Sequence, residues 1–173
     1  MVANRATDTA VQADGRKESA MTTVRCYLPV TPEQLRRLRD ERRLAGPLPA
    51  YAVTASVQAA HAGADLDEWE FVALQEAARS QLAGGAPVIV AAADVVEEGV
   101  RRREDRASGA RVEVGDVDLP RVAALHLGDD VVTGRAGAAA DGPQGIELSW
   151  YDTTEIAHVA ELAAALDGTP AGD

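Results

Sequence analysis

Five runs of apolar sequence each end on residues that can do chemistry: Thr31, Thr54, Asp94, the pair Asp129 and Asp130, and Asp152. If the runs are parallel strands, these residues gather along one edge of a sheet, where open α/β sheets bind ligands. His126 lies just inside its run. With Asp94 and Asp129 beside it, it is a candidate general base or ligand to a hard cation, and the three together are the candidate catalytic residues. The matching chemistry is metal-assisted hydrolysis or group transfer. Each residue also has a local explanation: Thr31, Thr54 and Asp152 stand where helix caps stand, Asp94 and Asp129 where turns stand, and His126 fits an edge or core position.

Binding is the other chemistry on offer. Arg36, Arg37, Arg39, Arg42 and Arg43 crowd one helix, and guanidinium forks suit phosphates and carboxylates, which makes Arg36 and Arg39 candidate binding residues. Against this, Glu33, Asp40 and Glu41 offset three of the charges, and Glu68, Glu70 and Glu76 of a later acidic helix are expected partners for others. Trp150 and Tyr151 are candidates for a contact surface.

Other catalytic plans lack their residues. Neither a dinucleotide fingerprint nor a P-loop occurs, and the only lysine, Lys17, precedes the first strand-like run. The GxSxG elbow is absent, and Cys26 alternates with core positions, which suits packing rather than attack. One cysteine forms no intramolecular disulfide, so the expected compartment is a reducing cytoplasm. His61, His126 and His158 are far apart and form no HExxH, so no metal site and no cofactor are expected.

The elements that must position these residues follow from periodicity. Residues 24–30 (VRCYLPV) put Val24, Cys26, Leu28 and Val30 on one face and Arg25 and Tyr27 on the other. Thr31, Pro32 and Gln34 then open a helix to about Leu44, stopped by Gly46, Pro47 and Pro49. A short strand at 51–54 and a short helix to Ala60 follow. Asp65 or Asp67 opens a longer helix in which Phe71, Leu74, Ala78 and Leu82 share the expected buried stripe, until Gly84 and Gly85 end it. Residues 87–93 (PVIVAAA) read as an interior strand covered on both faces. Residues 97–110 carry mixed charge without apolar period and read as a solvated connection, followed by a short strand at 111–114. Strands at 122–127 and 146–151 and a helix from Asp152 or Thr153 to about Leu166 complete the pattern.

The whole-chain numbers agree with a single domain. There are 173 residues, 46% hydrophobic and 26% charged, the balance of a globular protein. With one Phe, two Trp and three Tyr, the core must be built from aliphatic residues and alanine. A net charge of −11 disfavours sequence-independent binding to phosphate backbones. Residues 1–20 hold no apolar run, so neither a leader nor a membrane helix is expected there.

Three segments resemble a known family: AYAVT followed by DLDEWEFVALQEAARSQL, then VAALHLGDD, then ELSWYDTTEI. They are similar to small actinobacterial proteins of unknown function, in which a first strand of the MRVYLP type precedes a similar acidic helix, a strand ending in His and Asp, and an LWYATQEI-like segment containing the WY pair. The resemblance spans roughly residues 23–160. It implies a cytoplasmic single domain and supplies no activity. Asp152 and Thr153 stand where Ala and Thr are expected, and the arginine-rich stretch at 101–106 reads as an insertion.

The sequence thus predicts one α/β domain over residues 22–168, with disordered tails expected at 1–21 and 169–173. Its sheet is expected to be mixed and mainly parallel, with about five strands and helices on both faces. The leading function is a non-enzymatic domain that binds a protein or small molecule, with neither nucleic acid nor membrane as partner. The alternative is the metal-assisted hydrolase or transferase at the strand-end acids.

Overall fold

The first strand-like run becomes the middle of a sheet. In the computed structural model, which describes residues 21–102 and 109–167, β1 (Thr23–Pro29) lies between β4 (Ile89–Val96) and β3 (Leu48–Ala52). The sheet continues through β8 (Val122–Gly128) to β11 (Leu148–Asp152) on one side, and through β6 (Arg111–Val114) to β5 (Val100–Arg102) on the other. Two ribbons flank it: β2 (Arg43–Leu44) with β7 (Val117–Asp118), and β9 (Asp141–Gly142) with β10 (Gly145–Ile146). The tails expected at 1–21 and 169–173 lie outside the described residues apart from Met21, as do residues 103–106 of the arginine-rich stretch.

All seven strands of the main sheet pair antiparallel. This overturns the expectation of a mainly parallel sheet of about five strands. The misleading signal was the unbroken apolar run at residues 87–93. Such a run needs only cover on both faces, and here helices cover both faces of an antiparallel sheet. β5 forms inside the charged stretch expected to be a connection, and β3 begins earlier than the expected strand at 51–54, accommodating Pro49.

Alternation divides the strands between two cores. Cys26, Leu28 and Val30, with Ile89, Ala91, Leu125 and Leu127, meet α1 (Pro32–Glu41), α4 (Asp129–Thr133) and α5 (Ile156–Asp167) on the first face. Tyr27, Val90, Ala92 and Ala124 meet α2 (Ala55–Ala60) and α3 (Leu66–Ala83) on the second. The helix starts are chemically marked. Thr31 accepts from Gln34 N while the Gln34 side chain accepts from Thr31 N, and Asp65 with Glu68 does the same at α3, each pair supplying two otherwise free amides with partners. α1 ends earlier than expected, because Arg42 adopts a left-handed conformation (φ 60°) that turns the chain into β2.

α3 packs on only part of the expected stripe: Ala78 is in the core and Leu74 and Leu82 pack against it, but Phe71 is turned out. Phe71 is 52% exposed, whereas Ala73, Ala77 and Ala78 are fully buried and Gln75 and Gln81 lie with them; Leu74 and Leu82 are only partly buried. Small residues let the helix lie close on the sheet, and the glutamines extend the main-chain ladders. Gln81 accepts from Ile89 N and donates to Val30 O, joining the end of β1 to the start of β4. Gln75 accepts from Ile146 N and donates to Ile146 O, clasping β10 as a neighbouring strand would. A side chain on Gly145 (φ 92°) would run into the Gln75 amide, so this position needs glycine. No helix among the described residues is long and apolar enough to cross a membrane.

Candidate functional site

Antiparallel strands send consecutive strand ends to opposite sides, so the strand-end residues cannot converge. Thr31 and Asp129 lie at one end of the sheet, and Thr54, Asp94 and Asp152 at the other. Asp94 and His126 do share the second face on neighbouring strands, but His126 pairs with Val90. Four residues of strand therefore separate it from Asp94, about 13 Å. Asp129 is roughly 20 Å from Asp94 on the same arithmetic. Among the described residues no three His, Cys, Asp or Glu side chains stand together as a cation would require.

Most of these side chains serve the backbone or a neighbour. Thr31 caps α1, Thr54 accepts from Val57 N at α2, and Asp152 accepts from Thr154 N, which holds its carboxyl below the usual carboxylate range. Asp130 is buried: its Oδ2 accepts from Val88 N, and its Oδ1 has no partner among the described residues. Asp94 takes a two-pronged bond from Arg25, Nε to Oδ1 at 2.8 Å and Nη2 to Oδ2 at 3.2 Å.

The arginines of α1 are likewise engaged, though not as expected. Arg36 lies 3.6 Å from Asp167, Arg37 pairs with Glu33, and Arg39 pairs with Asp40. The expected partners Glu68, Glu70 and Glu76 sit on α3, across the sheet, where Glu76 accepts from Ala110 N. Trp150 and Tyr151 part company as well, because neighbours on a strand face opposite ways. Tyr151 packs on the first core with its ring 6.2 Å from that of His158, whereas Trp150 lies on the second face and is 61% exposed.

What the second face gathers is an aromatic row and a charged end. α3 crosses β1, β3 and β4 and reaches the β9–β10 ribbon, while Trp150 of β11 is left exposed on that face. Trp150 stands opposite His126, and the His126 ring meets Tyr27 edge-on at 6.5 Å. Burial pulls the His126 pKa below its ordinary value, and the Arg25 charge lowers it further. Burial likewise pushes the Tyr27 hydroxyl up to about 12, aided by Glu70. Arg25, bonded to Asp94, is held above its usual value, and Glu70, half-buried on α3 nearby, is raised by desolvation against the pull of Arg25. Cys26 lies in the opposite core with its thiol pushed up to about 12 by burial, so it is packing and not a nucleophile.

Beside this row the surface hollows. One cavity of about 870 Å³ is lined by Phe71, Asp129, Leu148 and the loop through Gly142 to Glu147; another of about 530 Å³ is lined by His61, Asp65, Asp67, Glu68 and Phe71. They meet at Phe71. Their walls hold five carboxylates, from Asp65, Asp67, Glu68, Asp129 and Glu147, and no lysine or arginine.

Residues 24–160 match DUF6912, a family of unknown function. The chain belongs to that family. The matched span runs from β1 into α5 and so includes every side chain of the DUF6912 second face described above. No curated protein and no solved structure matches this DUF6912 chain. Among the residues of the face, Arg25 and Tyr27 had a signal in the sequence, since alternation set them off the apolar side of β1. Glu70 and Phe71 had none. Phe71 falls at helical spacing with Leu74 and reads as core until α3 is seen to pack on alanines.

Proposed function

We propose that the chain is a partner-binding domain, and that its recognition surface is the trough between α3 and β11 on the second face of the sheet. The observation that carries this is a group of exposed apolar side chains: Phe71, 52% exposed, lines the larger hollow with Leu148, and Trp150, 61% exposed, lies two residues beyond Leu148 on the same face of β11. Apolar rings grouped beside a concave surface are what partner sites offer, whereas scattered single exposed residues are ordinary. The charged groups there support binding over catalysis. Arg25 is already taken by Asp94, and His126 sits between aromatic rings. A cytoplasmic setting belongs to the same proposal and is supported by the lone buried cysteine.

The test is an array of immobilised peptides probed with the full chain and with a Phe71→Ser, Trp150→Ser double variant. Leu66→Ser, which alters an exposed leucine elsewhere on α3, is the control. The expected result is a set of peptides bound by the wild type and the control and lost by the double variant. Undiminished capture by the double variant would overturn the assignment of the surface.

A further inference from the structure

The bonds that set the phase of the sheet also determine which main-chain groups look outward. Val30 N donates to Ile89 O, and Gly128 N donates to Val88 O. In an antiparallel ladder the N–H and C=O of one residue point the same way and alternate along the strand. Ile89 therefore faces β1, and Val90 faces His126 on β8. Leu125 and Leu127 then face β11, where they meet Tyr151 and Ser149. Leu148, Trp150 and Asp152 are left pointing away from the sheet. Asp152 N is bonded to the Glu155 carboxylate. Among the described residues, the main-chain N–H and C=O of Trp150 have no partner.

The two edges of the sheet are not alike. At one end β5 carries Arg101 and Arg102, both exposed, and charge on an edge strand discourages pairing. At the other end β11 reads LSWYD, has no proline and no lysine, pairs with β8 without a bulge, and bears an exposed tryptophan. Asp129 and Glu147 line the larger hollow beside Leu148 and Ser149, and Asp152 and Glu155 stand at the far end of β11, so carboxylates flank that edge at both ends.

Resting on the trough as the recognition surface, we propose that β11 is a docking edge for an extended, lysine- or arginine-bearing strand of a partner protein. The strand adds to the sheet beyond β11, exchanges main-chain hydrogen bonds with Trp150, and lays its apolar side chains against Trp150 and Phe71. Its cations face the acidic rim, which steers encounter and makes association weaken with salt. The charge argues against a second copy as occupant, because two chains of −11 each would meet through their acidic rims.

The probe is an acetylated, amidated heptapeptide of three central valines flanked on each side by two lysines, so that valines lie against Trp150 and lysines reach the carboxylates at both ends of β11, titrated into the full ¹⁵N-labelled chain. The expected result is a shift of the Trp150 amide and indole signals, with affinity falling by at least about tenfold when alternate peptide nitrogens are methylated or when lysine is replaced by glutamate. Equal binding by the methylated peptide, with shifts still at Trp150 and Phe71, would overturn strand addition and leave the trough as the surface. Absence of binding at millimolar peptide would overturn the proposal, the peptide array then deciding the trough separately. Sedimentation of the chain alone showing a dimer that Trp150→Ala abolishes would assign the edge to self-pairing and overturn it too.

Discussion

At the residue scale, polar side chains buried in or against the core act as backbone. Gln81 supplies an acceptor to Ile89 N and a donor to Val30 O in a place that water does not reach. Gln81→Leu keeps the bulk and leaves both main-chain groups without partners, so it should cost about 2 to 4 kcal/mol in urea denaturation. His126 makes a pH prediction. Its pKa lies below the ordinary 6.5 in the folded chain, so on acidification the unfolded chain takes up this proton first. Its contribution to stability is whole above about pH 6.5 and is lost as pH falls through the folded value. Melting temperatures taken between about pH 7.5 and 5.5 should therefore fall more for the wild type than for His126→Gln, since carboxylate effects are common to both. Equal slopes would show that His126 is not held neutral by the fold. The caps at Thr31 and Asp152 were legible in the sequence because a cap needs only its own helix. The Arg25–Asp94 bond was not, because it joins residues 69 positions apart and depends on strand order.

At the scale of elements, α3 shows why helix position was readable and helix orientation was not. Its start at Asp65 and its end at Gly84 follow from local chemistry, but the choice of buried face belongs to the sheet it lands on. The second face offers Ala92 and Ala124 alongside Tyr27 and Val90, and the alanine face of α3 fits closely there while Phe71 turns outward. Ala77→Leu, at full burial, should cost about 1 to 3 kcal/mol by overpacking. Phe71→Ala should change stability by no more than about 0.5 kcal/mol. Chemical denaturation of the two variants checks both, and a larger loss at Phe71 than at Ala77 would return the helix to the stripe its periodicity suggests. The same contest explains the sheet. An apolar run such as that at residues 87–93 specifies cover on both sides and is silent about the direction of its neighbours.

At the scale of the whole molecule, the phase of the ladder makes a prediction at the open edge. Ser149 and Tyr151 face β8 and Leu148 and Trp150 face outward, so amide exchange along β11 should alternate slow and fast, while the interior β1 and β4 amides exchange last. Uniform protection along β11 would mean that its edge is already covered. The place of β1 carries a kinetic consequence. It is the first strand among the described residues and the fourth of seven across the sheet, so a growing chain synthesises the centre of its sheet before either flank. When the end of α3 has been made, β1 has β3 for company but neither β4 on its other side nor the helix α5 that closes the first core. Folding must wait for contacts that span most of the chain, which places this protein among the slower single domains. Until then the β4-facing edge of β1 stays open to whatever meets it, and chaperone contact during synthesis should concentrate on β1.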